Sequence, residues 1–217
     1  MISLSKRLDK IASFIDKDDN VLDVGCDHAL LDIYLSKKYS KKYYASDLRE
    51  SALDMARSNI KKYKCNNVIL KCGNGLDVID ECDVNTVVIS GMGYMTIISI
   101  LRNIKNIIKV NKLVIESNTN PEKVRKFLVK KGFYIDKEDV VLDKNMYYVV
   151  TSYKRGYNKY NKMELELGLF DNIKYTEIEL KKNNILLNII PKKYILKRLE
   201  IKRKIKYLNK KKNSISK

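Results

Sequence analysis

Short apolar runs alternate with amphipathic stretches along the first 155 residues. The runs predict strands over 21–24, 42–47, 67–72, 85–90 and 112–116. The amphipathic stretches predict helices over 1–15, 29–38, 50–63, 94–104 and 121–131. Because parallel strands need crossover connections, this regular alternation indicates an α/β fold built on a parallel sheet.

Two further strand-like runs, 133–144 and 145–155, are joined by the turn-like sequence Asp143-Lys144-Asn145 and predict an antiparallel hairpin. A parallel sheet closed by such a hairpin, with the last strand inserted beside the fifth, resembles the Rossmann-like class I methyltransferase architecture. A nicotinamide dehydrogenase would more often continue with another parallel crossover.

From about residue 158 the sequence predicts helices at 171–189 and 192–209, separated by Pro191. Apolar residues recur along both, so we expect an antiparallel coiled-coil hairpin. The two predicted stripes are Ile173, Ile178, Leu180, Ile185, Leu186 and Ile189 on the first helix and Tyr194, Ile195, Leu199, Ile201, Ile205 and Leu208 on the second. Residues 210–217 are expected to form a frayed tail. The predicted domains are therefore 1–157 and 158–217.

The positive charge is unevenly distributed. The net charge is +18, of which residues 1–152 contribute +5 and residues 153–217 contribute +13. Such a field attracts polyanions, and RNA, DNA and anionic lipid are all candidates. A compositional bias towards lysine would raise the charge everywhere, but it does not explain the asymmetry. A nucleic-acid partner is therefore favoured.

Cysteine and histidine content argues against a metal centre. The four cysteines, at 26, 65, 72 and 82, form no C-x-x-C pair, and the chain has one histidine. Free thiols are typical of the reducing cytosol, so we expect a cytoplasmic protein. The N-terminal stretch mixes charges with its apolar residues, unlike a secretory signal, and no run of about 18 apolar residues predicts a membrane span.

The stretch 20–33, NVLDVGCDHALLDI, passes from a strand through a small-residue turn into a helix. Gly25 permits a sharp turn with close backbone approach, and the free N–H groups of the helix face that turn. Asp27 and His28 stand where a dinucleotide-binding turn has glycine or a small neutral residue, and Asp27 would repel a pyrophosphate. S-adenosylmethionine has no phosphate and carries an ammonium and a sulfonium, which Asp23 and Asp27 would attract. A purely structural turn is the alternative.

Ligands of open parallel sheets bind outside the carboxyl ends of the strands, so the residues that follow each strand belong together. After the second strand, Asp47 can accept both ribose hydroxyls. After the third, Asn74, between Gly73 and Gly75, can hydrogen-bond an adenine edge. After the fourth, Ser90-Gly91-Met92-Gly93 allows close backbone approach and offers a polarizable thioether for a flat base. Together with the first turn, these strand ends predict a nucleoside cofactor.

The loop after the fourth strand is where a methyltransferase places its acceptor. It lacks [D/N]-P-P-[Y/F], the sequence that supports methylation of the adenine amino group, so a different acceptor atom is favoured. The alternative is a helix-entry turn with Met92 in the core.

The motifs resemble those of the bacterial tRNA (adenine(22)-N1)-methyltransferases. They are LSKRL at 4–8, DVGCDHALL at 23–31, GNGL at 73–76, SGMGYM at 90–95, ESN at 116–118 and ELELG at 164–168. The resemblance implies a Rossmann-like domain, a helical coiled-coil extension that grips tRNA, S-adenosylmethionine as methyl donor and N1 of adenosine 22 as acceptor. A methyltransferase for another RNA, for a protein or for a small molecule, or a non-catalytic RNA-binding protein on the same fold, is the alternative.

Three of these motifs depart from the family pattern. Asn74 replaces an acidic residue, Tyr94 replaces a glycine, and Glu116-Ser117 replaces a Gln-Pro pair. At the end of the fifth strand, only Asn118 carries over without change.

The residue chemistry and the resemblance together give the predicted site. The candidate catalytic residues are Asp27, Asn118 and Met92. The candidate cofactor-binding residues are Asp23, Gly25, Cys26, Asp27, His28, Asp47, Leu48, Gly73, Asn74, Gly75, Ser90, Gly91, Met92 and Gly93. The candidate RNA-binding residues are Lys6, Arg7, Lys192, Lys193, Lys197, Arg198 and Arg203. We expect tRNA to be bound by a monomer, without a metal or a membrane.

Three roles stay open. Asp27 either stabilises a cationic product or binds the ammonium of the cofactor. His28 either caps a helix or contacts the cofactor, or it transfers a proton. Arg7 either contacts a phosphate or caps the pocket, or it forms a surface ion pair with Asp9 or Glu50.

Overall fold

The computed structural model describes residues 2–102 and 108–215. The chain divides into two compact units, Met1–Asn158 and Lys159–Lys217, and each is described by itself.

The first unit is built on a seven-stranded mixed sheet. Its strands are β1 (Val21–Val24), β2 (Tyr43–Asp47), β3 (Val68–Cys72), β4 (Thr86–Met92), β5 (Lys112–Ser117), β6 (Phe133–Asp143) and β7 (Met146–Arg155). Their order across the sheet is β3-β2-β1-β4-β5-β7-β6. The first five are parallel, and β7 lies antiparallel between β5 and β6. The predicted parallel sheet and its terminal hairpin are confirmed.

Helix α1 (Lys6–Ala12) precedes β1. The helices α2 (Leu30–Tyr39), α3 (Glu50–Lys62), α4 (Tyr94–Leu101) and α5 (Pro121–Lys130) follow β1, β2, β4 and β5, and a 3₁₀ turn at Asp77–Glu81 follows β3. The first helix is shorter than predicted because the Ser5 side chain accepts the Leu8 N–H and fixes its start. The predicted helix 94–104 ends at Leu101, and its last two residues lie outside the described residues.

The core lies against the central strands. Every residue of β1 and β5 is buried, as expected for strands in the middle of a sheet that is covered by helices. One buried cluster joins Ile11 of α1 and Leu35 of α2 to the sheet, and another includes Ile33 of α2 and Leu53 of α3. Since α2 contributes to both clusters, the segment that follows the first turn is held firmly on the sheet.

The second unit contains α6 (Lys162–Leu167), α7 (Ile173–Ile189) and α8 (Ile195–Ile215). Asn161 and Glu164 form a capping box at the start of α6. Helix α8 extends to Ile215, so residues 210–215 are helical and the expectation of a frayed tail is wrong for them.

The predicted apolar stripes are only partly correct. Leu180, Ile201 and Leu208 are buried, as expected of residues between packed helices. Several other stripe residues are exposed instead: Ile173, Ile185, Leu186, Ile189, Tyr194, Ile195 and Leu199. Consecutive residues on an α-helix point about 100° apart, so a pair such as Ile185 and Leu186 cannot both face the same neighbour.

Candidate cofactor and acceptor site

Two adjoining cavities lie at the carboxyl ends of β1 to β4. The first has a volume of about 560 Å³ and the second of about 430 Å³. Both are lined by Gly25, Asp47, Arg49 and Met92, so they share a common wall at the centre of the sheet edge. This is the position that the order of the strands favours for a ligand.

The first cavity brings together the ends of β2 and β3. Its lining includes Asp47, Leu48 and the predicted loop 73–75. Leu48 is exposed, which leaves an apolar side chain free to contact a flat ring. Arg49 on the β2 side and Thr96, Ser99 and Ile100 of α4 also line this cavity, and none of these four was predicted. Their spacing carries no motif, so only the fold reveals their place.

The second cavity lies between the turn after β1 and the last residues of β4, which extends two residues beyond its predicted end at Ser90. It is lined by the predicted residues Asp23, Cys26, Asp27, His28, Ser90 and Gly91, and by Arg7 and Leu8 of α1. His28 Nε2 lies 3.3 Å from Asp27 Oδ2, so the two polar side chains of the turn contact each other. The cavity therefore has an acidic floor and a guanidinium at its edge.

Gly25 leaves room for Met92 between the cavities. Gly25 has a φ of +78°, and a Cβ added there would lie 2.1 Å from Met92 Cε. The backbone conformation therefore favours glycine, and an added Cβ would also push the flexible end of the Met92 side chain out of its place. Met92 is half-buried and contacts this turn, which places it at the boundary of both cavities.

Two buried carboxyl groups lie beneath the second cavity. Asp23 on β1 and Asp32 on α2 are almost completely inaccessible, and their side chains are hydrogen-bonded to each other, which requires a proton on one of the two carboxyl groups. Burial raises the pKa of Asp23 to about 7, and the nearby Asp47 charge acts in the same direction. Burial and the neighbouring Asp23 also raise the pKa of Asp32. Asp32 was not predicted, although an acidic residue among the apolar residues of a helix is visible in the sequence.

Burial raises the pKa of the Cys26 thiol as well, with the carboxyl groups of Asp32, Asp23 and Asp47 adding to the effect. A thiol in this environment is a weak nucleophile. Cys26 therefore contributes packing and backbone to the second cavity.

Arg7 pairs with a buried acid on the sheet. Its Nη1 lies 3.2 Å from Glu116 Oε2, and the same oxygen accepts the Gly91 N–H at 2.9 Å. The guanidinium also lies 5.2 Å from the centre of the Tyr148 ring. Burial raises the pKa of Glu116, although the Gly91 N–H and Arg7 oppose this effect. The predicted alternative of an Arg7 surface pair with Asp9 or Glu50 is wrong, because α1 turns Arg7 towards β5.

Several predicted site residues lie away from the cavities. Asn118 is exposed after β5, and its N–H donates to the Met92 carbonyl. Its side chain is not part of either cavity lining, nor is Gly93, which precedes α4. Of the predicted RNA-binding residues, Lys6, Lys192, Lys193, Lys197 and Arg203 are exposed. Arg198 is half-buried, and its Nη1 donates to the carbonyls of Leu187 and Ile190 at the end of α7.

Within residues 2–102 and 108–215, no group of three or more His, Cys, Asp and Glu side chains is placed to hold a metal ion. No helix in that part of the chain is both long and apolar enough to span a membrane. The four cysteines are free, and Cys26 and Cys65 are buried.

Comparisons with known proteins identify the family. The Methyltransferase domain family matches residues 4–151. A Mycoplasma genitalium protein assigned as a tRNA methyltransferase is 32% identical over 153 residues, which are 68% of each chain. The tRNA (adenine(22)-N(1))-methyltransferase of Bacillus subtilis is 28% identical over 148 residues, 66% of this chain and 61% of that protein.

The likeness extends to a solved structure over almost the whole chain. The structure of M. capricolum TrmK, in complex with S-adenosyl-homocysteine, superposes with a TM-score of 0.83 and 29% identity, covering 98% of this chain and 99% of that one. The chain belongs to the methyltransferase-domain family and, within it, to the bacterial tRNA (adenine(22)-N1)-methyltransferases.

Proposed function

We propose that this protein transfers a methyl group from S-adenosylmethionine to N1 of adenosine 22 in tRNA, acting as a monomer in the cytoplasm. The observation that carries the proposal is the pair of adjoining cavities at the strand ends, with Asp47 and Asn74 lining the first and Asp23 and Asp27 lining the second. The first suits a nucleoside and the second suits an amino acid with a positive charge.

The residues present fit this cofactor. Both cavity volumes lie within the range of small-molecule sites, about 300 to 1,000 Å³. Asp47 would accept the ribose hydroxyls, Leu48 would contact the adenine ring, and Asn74 would hydrogen-bond its edge. Asp23 would attract the ammonium, which a pyrophosphate-binding turn could not do. When bound, S-adenosylmethionine supplies an electrophilic methyl group on a sulfonium.

The acceptor atom needs positioning more than activation. Adenine N1 has an in-plane lone pair that is free at neutral pH, so no base is required before the new bond forms. Orientation alone can be worth an effective molarity of roughly 10⁵ to 10⁸ M. The methylated base is cationic, and the Asp27 carboxylate at the second cavity would stabilise that charge. Met92 would provide a polarizable surface beside the base.

Arg7 is suited to hold the phosphate of the target nucleotide. Glu116, Gly91 and Tyr148 hold its guanidinium in place beside the second cavity. Part of the conformational entropy of the Arg7 side chain is therefore already lost when the protein folds, and binding a phosphate costs less. A guanidinium next to the base would disfavour a cationic product, whereas next to a phosphate it is stabilising. The phosphate is therefore its favoured contact.

Residues 158–217 would form the coiled-coil extension that binds the rest of the tRNA. Extruding a stacked base costs a few kcal/mol, which distributed phosphate contacts can offset. The exposed cations Lys192, Lys193, Lys197 and Arg203 are available for such contacts. Arg198 is less available, since one of its nitrogens is used within the unit.

Incubation of the purified protein with isotopically labelled S-adenosylmethionine and total tRNA, followed by nucleoside mass analysis, tests the proposal. We expect labelled 1-methyladenosine, and a primer-extension stop at position 22. A parallel incubation with ribosomal RNA is the comparison, and label in ribosomal RNA alone would favour a methyltransferase for another RNA. Failure to bind S-adenosylmethionine in a calorimetric titration would favour a non-catalytic RNA-binding protein.

A further inference from the structure

Exposed apolar side chains are concentrated where α7 ends and α8 begins. We call residues 185–199 the tip. Its apolar side chains with large exposure are Ile185, Leu186, Ile189, Ile195, Leu196 and Leu199, together with the ring of Tyr194. Leu196 is 84% exposed and Ile189 is 69% exposed, values typical of surface lysines. Clustered exposure of this kind marks an interaction surface far more often than scattered apolar residues do.

The tip is also strongly basic. Residues 185–199 contain three lysines, one arginine and no acidic residue. Arg198 is half-buried and donates to two carbonyls at the end of α7, which fixes the turn between the helices. Lys192, Lys193 and Lys197 are exposed, and Lys193 Nζ lies 5.5 Å from the centre of the Tyr194 ring. The apolar side chains therefore stand among cations.

The charge restricts what can cover the tip. A second copy of the same tip would bring cations against cations without a compensating acid, so self-association through this surface is disfavoured. The occupant must offer negative charge and flat or apolar surface together. Nucleic acid with unstacked bases meets both conditions, because phosphates are anionic and every base has an apolar face.

We propose that the tip binds unpaired nucleobases of the RNA, with Tyr194 and the exposed aliphatic side chains against base faces and the lysines against the adjoining phosphates. This inference rests on the proposed function, which supplies tRNA as the partner, and it adds that the extension recognises a loop rather than a regular duplex. A duplex buries its base faces in the stack and offers the tip only phosphates and sugars. The aliphatic side chains would then gain nothing on binding.

The two kinds of contact differ in their response to salt. Each phosphate contact steepens the log–log dependence of affinity on salt by very roughly 0.7 to 0.9, whereas a stacking contact leaves that slope unchanged. Binding of labelled tRNA to the full-length protein is therefore measured over a range of salt concentrations. The variants are Ile189→Ser with Leu196→Ser, and Lys192→Gln with Lys193→Gln. Ile173→Ser, a change of an exposed apolar residue at the other end of α7, is the matched control.

We expect the apolar pair of changes to weaken tRNA binding by about tenfold with an unchanged salt slope. The lysine pair should lower the slope by very roughly 1.4 to 1.8, which is two phosphate contacts. The control should bind as the original protein does. Circular dichroism of each variant should show the original helix content, because all these side chains are exposed.

Three results would overturn the inference. One is an apolar variant with the original affinity for tRNA. Another is a regular RNA duplex that competes with tRNA as well as a loop-containing RNA does. The third is an apolar change that abolishes binding to anionic phospholipid vesicles but leaves tRNA binding intact, which would assign the tip to a membrane surface. Methylation of tRNA by the original protein and by the Ile173→Ser control would keep the proposed function intact in each case, so the two failures are distinguishable.

Discussion

Gly25 determines the local geometry of the candidate site at the scale of single residues. Its φ of +78° turns the chain out of β1, and Met92 Cε occupies the place of a side chain. An alanine at this position would have to adopt a left-handed conformation and displace the thioether at once. Both the turn after β1 and the boundary between the two cavities therefore depend on the absence of a Cβ at Gly25.

Gly25→Ala should weaken S-adenosylmethionine binding at least tenfold and lower the free energy of unfolding. Gly132→Ala is the matched control, because Gly132 has a φ of +79° with nothing within 4 Å of an added Cβ. Its cost should be only the backbone strain, about 1 to 2 kcal/mol. Calorimetric titration and urea unfolding measure both effects. Unchanged S-adenosylmethionine binding in Gly25→Ala would contradict the placement of Gly25 and Met92 at the boundary of the two cavities.

The pKa of Asp23, raised by burial to about 7, predicts a pH dependence of cofactor binding. Below that pH the folded protein holds Asp23 protonated, and above it the carboxylate is ionised and attracts the ammonium. Affinity for S-adenosylmethionine should therefore rise by about tenfold from about pH 6 to about pH 7.5.

Two controls isolate this effect. Asp23→Asn should remove the pH dependence, and His28→Asn, which changes another side chain of the same cavity, should retain it. 5′-Methylthioadenosine lacks the ammonium, so its affinity should not change over the same range. A pH dependence that persists in Asp23→Asn would show that another group is responsible.

Some site residues were predictable and others were not, for physical reasons. Asp47 and Asn74 follow strands, and a strand end is visible in the sequence because the apolar run stops there. Glu116 also ends a strand, but its partner Arg7 is 109 residues away, and no local pattern specifies such a pair. Asn118 was expected near the chemistry by resemblance alone, and the structure leaves its side chain exposed.

At the scale of secondary-structure elements, the sequence predicts helix α1 but not the contacts that hold it against the sheet. The Arg7 N–H donates to Asp143 at 3.2 Å, Lys10 Nζ lies 2.6 Å from Asp139, and the Arg7 guanidinium contacts Glu116. These contacts tie the helix to β5 and to the β6–β7 hairpin. The second cavity has a defined edge because the helix that contributes Arg7 is fixed.

Arg7→Ala should lower the free energy of unfolding by about 1 to 3 kcal/mol, since it leaves the buried Glu116 without its cation. Adding Glu116→Gln should recover about 1 kcal/mol, because the neutral amide can still accept the Gly91 N–H. Urea unfolding of the single and double variants measures this coupling. A double variant no more stable than Arg7→Ala would argue against a buried ion pair.

Arg198 has a comparable structural role at the end of α7. Arg198→Ala should lower the free energy of unfolding by about 1 to 2 kcal/mol, because two carbonyls lose a charged donor. Lys197→Ala, a change of an exposed neighbour, should have an effect of less than about 0.5 kcal/mol. Thermal unfolding followed by circular dichroism distinguishes them. Identical curves for the two variants would contradict the capping role.

The sheet was predictable in kind because buried parallel strands have continuous apolar runs with helices between them. The C-terminal helices were less predictable. A sequence shows which residues are apolar, but whether Ile185 or Leu186 meets a neighbour depends on how far apart the helices lie. The distance between the two helices depends on how the whole unit packs, so the sequence of one helix does not specify it.

At the scale of the whole molecule, charge and catalytic architecture belong to different parts of the chain. Both cavities are formed within the first 158 residues, whereas residues 153–217 contribute +13 of the net +18. Such an arrangement suits a large anionic substrate that is held over many contacts while one nucleotide reacts. Composition alone indicated a polyanion, and the identity of that polyanion required the family.

The central claim is that the strand ends hold a sulfonium nucleoside across both cavities. A crystal structure of the protein grown with S-adenosylmethionine tests it most directly. We predict the adenosine at Asp47 and Asn74 in the first cavity and the ammonium near Asp23 in the second. Empty cavities at saturating ligand, or a dinucleotide pyrophosphate bound in their place, would contradict the account.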